Sequence, residues 1–299
     1  MSDGYSMEID QFIDALWIER GLSANTLAAY RRDLRQFADF LDERGIASLK
    51  AADAGALQGF LASRLKSGHS NRSAARFLST LRGFYRYHLR ENRIDRDPTQ
   101  FIDSPRLGRS LPKSISEADV ERLLAAPNVE DPIDFRDRTM LELLYACGLR
   151  VTELTGLQVS QLSLNQGVVR VVGKGDKERL IPIGEEALSW VQQFLAGPRQ
   201  VLLKERMSEV LFPSNRGGQM TRQTFWYRIK LHAKRAGIEA HLSPHTLRHA
   251  FATHLINHGA DLRVVQMLLG HSDLTTTQIY THVARHRMQQ LHAQHHPRG

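Results

Sequence analysis

The chain has 299 residues, 41% of them hydrophobic, which is ample for the cores of two ordinary domains and excludes a disordered chain. Forty Lys and Arg against 32 Asp and Glu leave a formal charge of +8, which favours a polyanionic partner through long-range attraction and counterion release. The single cysteine, Cys147, excludes an internal disulfide framework. With no run of 18 apolar residues and no basic-then-apolar order in Met1-Ser2-Asp3-Gly4, neither membrane insertion nor export is expected, and a cytoplasmic location is.

From Ile9 to Arg93 the pattern predicts four helices, broken near Gly21 to Ser23, Gly45 to Ala52 and Gly68 to Asn71. In the second, Leu27, Tyr30, Leu34, Phe37 and Leu41 recur at helical spacing, leaving Arg31, Arg32 and Arg35 beside or opposite the buried face. The fourth carries Arg72, Arg76, Arg82, Arg86, Arg90 and Arg93 against one acid, Glu91, with Phe77, Leu81, Phe84, Tyr85 and Leu89 as its core face. Such a basic face is either solvated or turned towards phosphates. Asp97-Pro98 stops the helical region, and Asp103 to Lys113 has the prolines, glycine and charge of a linker. The expected domains are residues 1–106, a linker at 107–113, and residues 114–299.

In the second domain Ser116 caps a helix, and a further helix from about Asp134 to Cys147 leads through Gly148 to Arg150. The spaced Asp131, Asp134 and Asp137 read as a solvated helix start. Val168 to Val172 and Leu180 to Ile183 read as an antiparallel hairpin that places Lys174 on or beside its turn. The stretch Gly167 to Lys174 lacks the spacing and the Ser or Thr of a nucleotide loop. Thr221 caps a helix with Arg222 and Gln223 in its first turn, residue types that suit base edges in a major groove or an ordinary surface above Phe225, Trp226 and Ile229. Ser243-Pro244 opens a helix closed by Gly259. A shorter one from Asp261 to Leu269 ends at Gly270, with His271 just beyond, and Ser272 restarts a helix carrying Tyr280. His292, His295 and His296 read as a polar tail with at most adventitious metal affinity. The fold class expected is mainly α (α+β): a helical N-terminal domain, then a mixed, mostly helical domain with a small antiparallel sheet.

Singly, these polar residues have plain readings. A tyrosine in a helix usually packs, Arg248 suits a solvated helix face, and His245 with His249 lacks the intervening Glu of a HExxH zinc site. Together, His245-x-x-Arg248, Leu268-Leu269-Gly270-His271 and Thr277-Gln278-Ile279-Tyr280-Thr281-His282 resemble the active-site signature of the tyrosine site-specific recombinases of the phage integrase family. Ala146 to Leu154 is similar to that family's first arginine box and Gly173 to Arg179 to its lysine hairpin, in the family's order and spacing over nearly the whole chain. Departures are small: Cys147 stands where the family often has Thr, and Thr275 where it often has Ser.

The resemblance, closest to the Xer branch, implies a catalytic set of Arg150, Lys174, His245, Arg248, His271 and the nucleophile Tyr280. It implies an N-terminal DNA clamp and turns Arg31, Arg32, Arg72, Arg76, Arg222 and Gln223 towards DNA. It further implies a dif-like core site on double-stranded DNA, a XerC-like recombinase in a two-by-two heterotetramer, a septal DNA translocase of the FtsK type, and a tail after His282 that docks into a neighbouring subunit. No nucleotide cofactor is expected, because a phosphotyrosyl bond retains the energy of the broken phosphodiester, and no metal, because two arginines, a lysine and histidines already supply the positive charge and protons. A type IB topoisomerase and a catalytically silent architectural protein remain as alternatives.

Overall fold

The computed structural model describes residues 3–105, 115–173, 178–204, 206–240, 242–270 and 292–298. They fall into two compact units, Met1–Leu111 and Pro112–Gly299. No helix among them is long and apolar enough to cross a membrane.

The first unit is made of α1 (Asp3–Arg20), α2 (Ala24–Asp42), α3 (Ala54–Lys66) and α4 (Asn71–Arg90). Side-chain oxygens start three of them: Ser23 accepts from the Thr26 amide, Asp53 from Ala56 and Ser70 from Ser73, satisfying donors a helix start leaves orphaned. Phe37, Phe60 and Phe77 pack at tilted angles through the middle with ring centroids 5.1 and 4.8 Å apart, and Phe12 meets Phe84 edge-on at 5.5 Å. The predicted face of α4 differs at one position. Leu89 is exposed, and His88 is completely buried against Phe84. Position 88 lies one turn beyond Phe84 and two beyond Leu81, on the stripe's axis, whereas 89 falls at its edge.

The second unit contains α5 (Glu117–Ala125), α6 (Pro132–Cys147), α7 (Val151–Thr155), β1 (Leu162–Ser163), β2 (Val168–Val172), β3 (Glu178–Pro182), α8 (Glu185–Ala196), α9 (Pro198–Leu203), α10 (Arg222–Arg235), α11 (Pro244–Asn257) and α12 (Leu262–Leu269). The sheet is antiparallel in the order β1-β2-β3, with Val169 opposite both Leu162 and Ile181. The fold is therefore mainly α with a small antiparallel sheet. Helix α6 runs through the core, buried from Met140 to Cys147 and surrounded by Phe194, Phe212, Phe225 and Phe251.

Two readings of this unit are corrected. Asp131 is the exposed N-cap of α6, but Asp134 and Asp137 are buried, not solvated. They are paired with Arg228 and Arg235 of α10, and Asp137 also with Arg136 and with His232 at 2.9 Å. Helix spacing alone cannot reveal partners that arrive from ninety residues away. The C-terminal histidines do not form a polar tail: His292 and His296 are buried on their own unit, with Nε2 atoms 2.7 Å from the Ala146 carbonyl and 3.2 Å from that of Tyr145. Burial holds both imidazoles below their ordinary pKa of 6.5, so they seat as neutral donors.

Candidate active site

Helix α6 ends at Gly148, whose φ of +56° belongs to the left-handed region. A Cβ there would lie 2.4 Å from a ring carbon of Phe251, so only glycine brings α6 this close to α11. Two residues later Arg150 caps α7 in extended conformation. Glu153, in the first turn of that helix, accepts from the Arg150 amide at 2.7 Å and from its guanidinium at 2.8 Å, which fixes the side chain against its own backbone.

Arg248 approaches from α11, which starts as its sequence dictates: the Ser243 hydroxyl accepts from the Thr246 amide and Pro244 takes the first helical position. The Arg248 guanidinium is 7% exposed and donates to the Gly148 carbonyl and, at 2.5 Å, to the Leu269 carbonyl at the end of α12. Burial, reinforced by the charge of Arg150, pulls its pKa down to about 10. Two guanidinium groups are thus close enough to repel, and carbonyls and one carboxylate hold them in place. His245, one turn before Arg248, is exposed.

A second pair supports this arrangement and was not singled out from the sequence. Arg179 of β3 forks onto Glu153 at 2.8 and 3.0 Å, with both side chains buried, and its Nε donates to the Leu268 carbonyl at 3.3 Å. Burial pushes the Glu153 carboxyl up, but hydrogen bonds from Arg179 and Arg150 outweigh it and hold the pKa below the ordinary value. Gly270 then ends α12 at φ +67°, where a Cβ would lie 3.1 to 3.2 Å from the Arg179 guanidinium. The signal for Glu153 was present in its place three residues after a helix-capping position. Arg179, at the edge of a strand, carries no comparable mark.

The structure thus brings Arg150 and Arg248 together, with His245 on the same helix as the latter; Lys174, His271 and Tyr280 lie outside the described residues. Cys147 is wholly buried, its thiol 3.5 Å from the Pro182 carbonyl and pushed up in pKa by burial, as suits packing. Arg222 and Gln223 stand exposed in the first turn of α10, and Arg32 and Arg72 are exposed on α2 and α4. Two other arginines suggested for DNA are engaged within the first unit: Arg31 with Asp10, and Arg76 with the buried Asp33 through two hydrogen bonds of 2.6 and 2.7 Å.

Residues 113–287 match the phage integrase family, and residues 9–92 match the phage integrase N-terminal SAM-like domain. The chain is 65% identical to tyrosine recombinase XerD of Pseudomonas aeruginosa over 97% of both proteins, and 60% identical to that of Shewanella oneidensis over the same shares. Among solved structures, XerH recombinase bound to palindromic difH, in a post-cleavage complex, superposes with a TM-score of 0.70 at 24% identity, over 94% of this chain and 83% of that one, a likeness of fold.

Proposed function

The chain belongs to the phage integrase family, as a tyrosine recombinase of the XerD type, and on that premise we propose that it resolves chromosome dimers by site-specific strand exchange at a dif-like site. The carrying observation is the pair Arg150 and Arg248: with Arg179 they bring three guanidinium charges to one carboxylate, Glu153, so the site keeps an excess of positive charge that an anion would offset. A phosphodiester supplies that anion. Attack adds charge to its non-bridging oxygens, and two guanidinium forks fixed by Glu153, Gly148 and Leu269 neutralise it without reorganising.

In this reading the Tyr280 oxygen attacks phosphorus and forms a 3′-phosphotyrosyl bond, while Lys174 protonates the departing 5′ oxygen. His245 orients or deprotonates the nucleophile and His271 donates to a non-bridging oxygen. The 5′ hydroxyl of a second strand then attacks and releases the tyrosine, so the number of phosphodiester bonds is unchanged and no nucleotide is consumed. The first unit serves as a clamp on duplex DNA, with Arg31, Arg32, Arg72 and Arg76 towards the backbone and Arg222 and Gln223 of the second unit towards base edges. The existing ion pairs of Arg31 and Arg76 would have to be shared with phosphate. The assembly is a two-by-two heterotetramer with a XerC-like recombinase, driven by a septal translocase of the FtsK type in the cytoplasm.

The test is a suicide substrate, nicked beside the cleavage position, incubated with wild-type protein or Tyr280→Phe, with and without the partner recombinase. A covalent 3′ adduct that needs Tyr280 supports the proposal, and exchange of ends between two duplexes separates it from a resealing topoisomerase. Tight DNA binding without an adduct under every partner condition refutes it.

A further inference from the structure

Beside the first turn of α10, and separate from the arginine pair described above, lies a cleft of about 410 Å³ lined by Arg136, Ser214, Arg216, Thr221, Thr224 and Arg228 among others, none of them aromatic. Its charge is set by the buried network beneath it. Asp134 and Asp137 meet three guanidinium groups, those of Arg136, Arg228 and Arg235, which leaves one positive charge in excess (three minus two). Both carboxyls stay ionised: burial pushes them up, but hydrogen bonds from their partners outweigh it. Arg228 spends Nε and Nη2 on the two aspartates, and its Nη1 has no partner among the described residues.

Arg216 adds a second cation from a fixed turn. Ser214 donates its amide to the Gly218 carbonyl and Gly217 donates to Ser214, each at 2.8 Å, and Gly217 adopts a φ of +83° that favours glycine. The Arg206 guanidinium donates to the Arg216 carbonyl, so the turn is braced from behind while the Arg216 side chain remains exposed. The hydroxyls of Thr221 and Thr224 bond to each other at 2.8 Å, which leaves one of their two protons to donate into the cleft.

We propose that this cleft seats one backbone phosphate of bound DNA, held by Arg216 and Arg228, and thereby sets the register of α10. The inference rests on the DNA-recombinase reading and deepens it. A cleft rich in cations and hydroxyls, with no aromatic surface to stack a base, suits a phosphodiester better than a nucleotide. Its place matters as well: a helix that presents Arg222 and Gln223 to base edges has the sugar-phosphate backbone on its flank, and a contact there fixes orientation without reading sequence.

The test is fluorescence anisotropy with a labelled mixed-sequence 30-bp duplex between 50 and 200 mM NaCl, comparing wild type, Arg216→Gln and, as a control of equal charge change on α5, Arg122→Gln. Loss of one phosphate contact lowers the slope of log affinity against log salt by about 0.9, so the fourfold rise in salt weakens Arg216→Gln about 3.5-fold less than wild type. The control should follow wild type. Binding with equal slopes for Arg216→Gln and wild type overturns this site alone; a wild-type chain that does not bind duplex at all overturns the recombinase reading along with it.

Discussion

Glu153→Gln removes one carboxylate oxygen and its charge from a site where a carboxylate accepts four hydrogen bonds, two from Arg150 and two from Arg179. Glutamine keeps one acceptor and turns an NH2 group towards guanidinium donors, so Arg179, 4% exposed, is left as a buried charge without its counterion. Breaking a buried pair from one side costs about 3 to 5 kcal/mol. In a domain of this size that lowers the melting temperature by about 6 to 20 °C. Calorimetry of the full chain is the suitable assay, because each unit has its own core and the two need not unfold together. Arg90→Gln, which breaks an exposed pair with Glu19 in the first unit, serves as a control and should leave the trace nearly unchanged. The pH dependence gives a second check. The Glu153 pKa lies below its ordinary 4.5 in the folded state, so its contribution is complete above that value and is lost as pH falls through the folded one. The gap between wild type and Glu153→Gln should therefore close in acid. A variant that melts within about 2 °C of wild type at pH 7, or a gap that stays constant down to pH 3, would refute the argument.

Arg248→Lys keeps the charge but cannot fork between the Gly148 and Leu269 carbonyls; covalent-adduct formation on a suicide substrate should fall by about 100-fold or more with DNA binding nearly unchanged, and a loss under tenfold contradicts the clamp. Gly148→Ala should destabilise the second unit by at least about 2 kcal/mol, since its Cβ meets Phe251 and its φ is left-handed; an unchanged thermal transition rejects this. His88 is buried, with neither ring nitrogen hydrogen-bonded, and burial pulls its pKa from 6.5 to about 4. The folded state therefore resists the proton, so the penalty is absent well above pH 6.5 and grows as pH falls towards 4. His88→Leu should stabilise the first unit, with a margin over wild type that widens by about 2 kcal/mol between pH 7 and pH 5 in urea titrations; a margin independent of pH would count against it.

Much of this was legible because local rules decided it. The helices of the first unit, the caps Ser116, Thr221 and Ser243, the hairpin of β2 and β3, and the stop at Gly270 follow from spacing, side-chain acceptors and glycine. The arginine pair was found by resemblance, and the structure adds what holds it. What stayed hidden depended on distant partners: the arginines of α10 that neutralise Asp134 and Asp137, the strand residue Arg179 that completes Glu153, and the α6 carbonyls that receive His292 and His296. The exchange of Leu89 for His88 had another cause. Hydropathy favours leucine inside, whereas helix geometry placed position 88 on the axis of the buried stripe.

The seat of the C-terminal segment has a consequence for anything that competes for it. His292 and His296 reach the α6 carbonyls while joined through the backbone to α12, whose last carbonyls are themselves claimed by Arg179 and Arg248. A contact made within one chain does not depend on protein concentration, however weak it is by itself. A free peptide of the same sequence, or the same segment from another chain, therefore meets an occupant with that head start. Its intrinsic affinity for the seat would register weakened in the intact chain, and would emerge in full only after the connection between residues 270 and 292 is cut.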